Sequence, residues 1–201
     1  MSSTTGRLLV GPALVASLAL FACSSDTNGA GDVDAALAAA RDAGQVIVDD
    51  TADLAIQNDV TTVLDCLFPD VTVDEAPAVS FDGDGSPGIA VVAVGADAVA
   101  PVAGAGDDFG SCVHDARFGE LGQVSDQVTL DVAVAPHAEL GDAAVDVEIR
   151  LHAGPFGLGA DIVVVAVGEV LVVGRISSED AEDIDHAPFE APLEAAVAAL
   201  G

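Results

Sequence analysis

Asp161 to Ile176, DIVVVAVGEVLVVGRI, places the strongest constraint on how this chain can fold. Apolar residues fill successive positions on both sides of Gly168-Glu169. Side chains in a strand point alternately to opposite faces, so a run that is apolar at every position is apolar on both faces. Such strands belong at the centre of a sheet, and the β-branched residues favour that conformation. A dipeptide with Gly first suits a two-residue hairpin loop. The segment therefore reads as two central strands, Ile162 to Val167 and Val170 to Ile176.

Val145 to His152 has a different pattern. Val145, Val147, Ile149 and Leu151 alternate with Asp146, Glu148, Arg150 and His152, as in an antiparallel strand with one wet face. Val71 to Val73, Ala78 to Phe81, Ile89 to Val94 and Val128 to Val134 are further candidate strands. Asp82 to Gly88 is a tight turn, and Ala103 to Gly122 reads as a long loop. Asp32 to Asn58 carries a helical stripe through Val33, Leu37, Ala40 and Ile47, which Gly44 and the β-branched Val46-Ile47-Val48 kink or split. Val60 to Leu67 follows, ended by Pro69. Leu193, Ala196, Val197 and Leu200 mark a terminal helix, after an acidic connector from Ser177 to His186. The expected fold is α+β: a mainly antiparallel sheet with an N-terminal and a C-terminal helix packed on it, covering one sheet face.

The N-terminus carries a separate signal. Arg7 precedes 15 uncharged residues, Leu8 to Ala22, interrupted by Gly11 and Pro12. That is short of the roughly 20 residues that span a bilayer. A basic start, a short apolar region and a small residue before the break describe an export signal. The segment ends Leu20-Phe21-Ala22-Cys23 and turns polar in SSDTNGAG, Ser24 to Gly31. This ending resembles the bacterial lipobox, whose cysteine is lipidated and becomes the new N-terminus. The alternative is a plain signal peptide with an incidental cysteine. Two acyl chains on Cys23 would hold the protein at a membrane, each buried CH₂ contributing about 0.8 kcal/mol. The expected organisation is a lipoprotein signal peptide over 1–22, a tether over 23–31 and one extracytoplasmic domain over 32–201.

Charge restricts the partners. The chain has no Lys, five basic residues in all and a formal charge of −29. It is repelled by phosphate backbones, which excludes nucleic acid as a partner. Anionic headgroups repel it too, leaving membrane attachment to the lipid on Cys23. A self-repelling surface on an exported protein is a simpler account of the acidity than calcium binding or salt adaptation. Without Trp or Tyr, only Phe could supply an aromatic stacking platform.

Cys66 and Cys112 form an even pair, which in an exported chain reads as a disulfide. That pairing removes the thiolate that a Cys112–His114 nucleophile would need. The remaining motifs fail on spacing. Counted from Asp82, the sixth and twelfth positions of a calcium loop hold Pro87 and Ala93 instead of Gly and Glu. Glu179, Asp180, Glu182, Asp183, Asp185 and His186 form an acidic run with no fixed coordination geometry. GPFGLGAD, Gly154 to Asp161, lacks a third glycine and precedes a strand, so it reads as a wide turn. Asp84 stands where a nucleophile elbow around Ser86 needs Gly. His114, His137, His152 and His186 lack zinc-type spacing. Arg150 and His152 could bind an anion, but Arg150 is expected to pair across the sheet with an acid such as Asp131. No catalytic, cofactor-binding or metal-ligating residue is assigned.

From Val128 onward the chain presents a polar-faced strand, a Gly-rich turn, DIVVVAVGEVLVV, an acidic connector and an Ala-rich terminal helix. This order resembles the extracytoplasmic sensor domain of actinobacterial membrane serine/threonine kinases and related stand-alone lipoproteins. The resemblance implies a twisted sheet with flanking helices, a surface cleft and disulfides, and it transfers no site residue. The functional expectation is a membrane-anchored, non-enzymatic binding or sensor-like module for an unknown small ligand or envelope protein. The alternative is a carrier of an apolar ligand or lipid in a sheet–helix cavity, which calls for a volume above about 300 Å³ lined by Val, Leu and Ile.

Overall fold

The computed structural model describes residues 28–48, 50–121, 128–137, 139–180 and 184–201. Cys23 and the lipobox-like segment lie outside them, as do Glu182 and Asp183. The elements follow in order α1 (Asn28–Ala43), β1 (Val46–Ile47), α2 (Asp50–Leu67), β2 (Ala78–Phe81), β3 (Gly88–Ala93), α3 (Val99–Ala103), α4 (Asp107–Leu121), β4 (Val128–Pro136), β5 (Ala143–Ala153), β6 (Phe156–Val167), β7 (Val170–Ser178) and α5 (Ala187–Ala198). The strands form one antiparallel sheet in the order β1-β2-β3-β7-β6-β5-β4.

The DIVVVAVGEVLVVGRI segment supplies most of β6 and of β7. Val167 pairs with Val170 around Gly168-Glu169, and Gly168 adopts φ 57°. β7 sits between β6 and β3, so each of its apolar faces meets a core. On one face Val164, Ala166, Leu171 and Val173 join Ile56, Val60 and Val63 of α2 and Val113 of α4. On the other, Val163, Val165, Val170 and Val172 join Leu37 of α1 and Phe189 and Leu193 of α5.

The terminal helices α1 and α5 pack on the sheet as expected. Helices nevertheless cover both faces instead of one. The difference lies in the middle of the chain. Ala103 to Gly122, expected as a loop, contains the 15-residue helix α4. Gly110 and Gly119 lower its helical signal. Gly110 has a packing role, because a Cβ there would come within 3.2 Å of Val134 Cγ2. Asp107 and Asp108 occupy the first turn, where negative charge favours a helix N-terminus.

Two further corrections, at Val71–Val73 and at GPFGLGAD, share one cause: side-chain chemistry suited to an element that tertiary pairing did not form, or formed elsewhere. Val71 and Val73 pack against the α2-side core without joining a strand. As expected, the helical stretch from Asp32 to Asn58 is split at Gly44 and β1, into α1 and α2. Phe81 packs where a Cβ on Gly44 would lie, 2.5 Å away. GPFGLGAD is not a wide turn: only Gly154-Pro155 turn, and β6 pairs with β5 from Phe156 onward. Finally, α1 begins at Asn28, inside the stretch read as a tether.

Candidate functional site

α1 and α5 cover only part of their sheet face. Among the described residues the face remains open toward β4, and the alternating polar residues of β5 lie on it. Glu148 is directly opposite Asp161 of β6, and Arg150 is opposite both Asp131 of β4 and Gly159 of β6. The missing side chain at Gly159 lets Arg150 lie across the sheet toward Asp161. Arg150 Nη1 donates to Asp161 Oδ1 at 2.5 Å and to the Ala160 carbonyl at 3.2 Å. The expected Asp131 partner is therefore replaced by Asp161, and Glu148 lies 3.7 Å away as a weaker second acid.

Asp161 is 8% exposed and anchors the strip. Its Oδ2 lies 2.8 Å from His186 Nε2, at the residue that caps the start of α5. His186 also meets the Phe189 ring edge-on at 5.8 Å. Across the strip, His137 Nδ1 lies 2.7 Å from Asp146 Oδ1. The strip thus carries two imidazole–carboxylate pairs, with separations of 25 and 9 residues. Between them lies a cleft of about 430 Å³. Val163, Phe189 and Leu193 form an apolar wall, and Glu148, Glu190 and Glu194 bring additional carboxylates. Among the described residues no hydroxyl or thiol side chain lines it. The mixed lining departs from the Val, Leu and Ile cavity that an apolar-ligand carrier calls for.

A larger cleft of about 840 Å³ opens on the opposite face, between the Asp84–Ser86 turn and the ends of β6 and β7. Glu179, Asp180 and Asp185 of the acidic connector line it, along with Arg175. Arg175 is already committed inward, with Nε 2.6 Å from Asp59 Oδ2. Among the described residues, no group of three or more His, Cys, Asp or Glu is placed to hold a metal ion.

Cys66 and Cys112 form a disulfide, with Cα atoms 5.8 Å apart, tying α2 to α4. Cys112 is therefore not a free nucleophile. Nearby, Ser111, His114 and Asp115 share a groove beside β4. His114 Nδ1 lies 3.2 Å from Asp115 Oδ1, but Asp115 is 86% exposed. Among the described residues no hydrogen bond joins Ser111 to His114. A water-screened carboxylate orients a ring weakly, and the serine–base contact required for nucleophilic catalysis is missing. His152 sits on the open strip of β5, away from both imidazole–carboxylate pairs.

Sequence reasoning identified the polar face of β5 but missed Asp161, His137 and His186 as its partners. Asp59 also went unnoticed, although its position between Ile56 and Val60 gave a signal: helical spacing puts it on the inward face. No protein-family model matches the chain, and no curated protein matches it at a significant level.

Proposed function

We propose that this protein is a lipid-anchored, extracytoplasmic, non-enzymatic binding or sensor-like module of the cell envelope, with the uncovered β4–β6 strip as its ligand-facing surface. The observation that carries the reading is the cleft beside Asp161. It joins an apolar wall to fixed, already paired polar groups, the lining expected of a small-molecule site. Carboxylates outnumber Arg150 there, so neutral or cationic ligands are accepted and anions repelled. Attachment rests on SLALFACSSD, where Cys23 takes a diacylglyceryl group and the chain beyond it displays the domain.

The test is the intact mass of the full chain extracted from the membranes of an expressing bacterium. The expected mass is that of residues 23–201 plus a diacylglyceryl group. An unprocessed N-terminus in the cytosolic fraction would overturn the anchor. Native mass spectrometry of the same preparation tests the cleft. A small molecule retained by the wild type and lost from Glu148→Gln with Asp161→Asn supports the site, whereas retention by both assigns it elsewhere.

A further inference from the structure

β4 closes one side of the sheet, and its free edge has a regular geometry. It pairs with β5 at nine consecutive positions without a bulge. His137 N–H donates to the Ala144 carbonyl at 3.0 Å, which continues this register as a hydrogen-bonded pair. Antiparallel ladders alternate, so Asp131, Ala133 and Ala135 direct their backbone groups toward β5, while Leu130, Val132 and Val134 direct theirs away. Among the described residues no strand lies beyond them. Natural sheets blunt such edges with bulges, lysines, prolines or inward charges; this chain has no lysine, and Pro136 closes only the last outward position, leaving Leu130, Val132 and Val134.

Beside that edge runs a groove of about 530 Å³, between Val132–Val134 and the first half of α4. An unpaired strand flanked by a helix is the arrangement into which extended peptides insert as an extra strand. Asp107 and Asp115 stand in the groove. Asp131 is exposed on the opposite face of the same edge. Side chains of an added strand would alternate between these two acidic surroundings. A second copy of this chain would bring another Asp131 and a further formal charge of −29 against them, so charge complementarity selects a basic occupant.

We infer that the β4 edge and the α4 groove form a docking site for an extended peptide segment rich in Arg or Lys, which joins the sheet as an eighth strand. Its α4 groove lies on the opposite sheet face from the Asp161 cleft, while Asp131 borders the β4–β6 strip, and the site is independent of the Cys23 anchor.

The probe is an alternating Arg-Val octapeptide, with the Glu-Val octapeptide as control, titrated calorimetrically into the folded protein. Amide exchange of the protein is followed by NMR. The Arg-Val peptide is expected to bind and to slow exchange at Leu130, Val132 and Val134, with little change at Asp131, Ala133 and Ala135. Replacing Asp107→Asn and Asp115→Asn together weakens binding roughly twofold to thirtyfold, the range for two exposed charge pairs. Both side chains are exposed, and a thermal melt that stays cooperative shows that the fold is retained. No binding, equal binding of the Glu-Val peptide, or binding without protection of the three outward amides would each overturn the inference. So would a dimer of the free protein in which those amides are already protected.

Discussion

Arg175 Nε on β7 lies 2.6 Å from Asp59 Oδ2 on α2, while the other oxygen of the same carboxylate accepts from Arg117 Nη2 on α4. One side chain, 4% exposed, joins a central strand to the two helices that cover it. Two of the five basic residues in the chain meet there.

Removing the carboxylate leaves two guanidinium groups in a site with little access to water. Asp59→Ala is therefore expected to lower unfolding free energy by about 3–5 kcal/mol, as when one partner of a buried pair is removed. Urea denaturation followed by circular dichroism measures it. A loss under about 1 kcal/mol would show that the arginines find equivalent partners.

The Cys66–Cys112 bond spans a sequence separation of 46 residues and ties the same two helices. Closing a loop of that length in the unfolded chain contributes about 4 kcal/mol in the chain-entropy treatment. Cys66→Ser with Cys112→Ser should shift the urea midpoint downward by a corresponding amount, and added reductant should have no effect on the double variant. Equal midpoints for wild type and variant would mean that the bond constrains nothing the fold has not already fixed.

Two positive-φ glycines differ in their surroundings. At Gly85, φ 83°, a Cβ would lie 1.6 Å from the Ser177 carbonyl oxygen, whereas at Gly168, φ 57°, it would meet nothing within 4 Å. Gly168→Ala should cost roughly 1–2 kcal/mol, the strain of a left-handed residue. Gly85→Ala must also displace β7, where Ser177 N–H donates to the Gly85 carbonyl at 2.8 Å, and should cost more than about 3 kcal/mol. Thermal melts of the pair test the ranking, and equal losses would count against a close contact between this turn and β7.

In the open strip, Asp161 accepts from Arg150 and also holds His186. Asp161→Ala should destabilise by about 1–3 kcal/mol, because Arg150 loses its close acceptor. His186→Gln removes a half-exposed partner and should cost about 0.5 kcal/mol or less. A larger loss for His186→Gln than for Asp161→Ala would place the anchor of the strip on α5 instead of β6.

The central hairpin was legible because period-2 chemistry and turn chemistry agree at Val167 to Val170. Its apolarity on both faces calls for two covering layers, which the expectation of one covered face missed, and α2 and α4 together supply the second. Gly110 and Gly119 make α4 weak by local propensity, and packing against Val134 together with the bond at Cys112 overrides the deficit. The same reversal occurs at Gly157 and Gly159. Glycines there suggest a turn, but pairing with His152 and Arg150 holds them in a strand. The Asp161–His186 and His137–Asp146 pairs had no local signal, because each joins residues brought together only when strands register and α5 docks.

By itself the sequence determined what depends on near neighbours: an antiparallel sheet built on Asp161 to Ile176, a wet face on β5, terminal helices and a cysteine pair suited to bonding. Those features follow from side-chain alternation, helical spacing and turn residues, all of which act within a few positions. The tertiary structure decided which acid Arg150 meets, that Asp59 is buried between Arg117 and Arg175, and which strands end the sheet among the described residues. Ion pairing and strand order depend on distances between residues far apart in the chain, and only collapse around the two-sided core sets those distances.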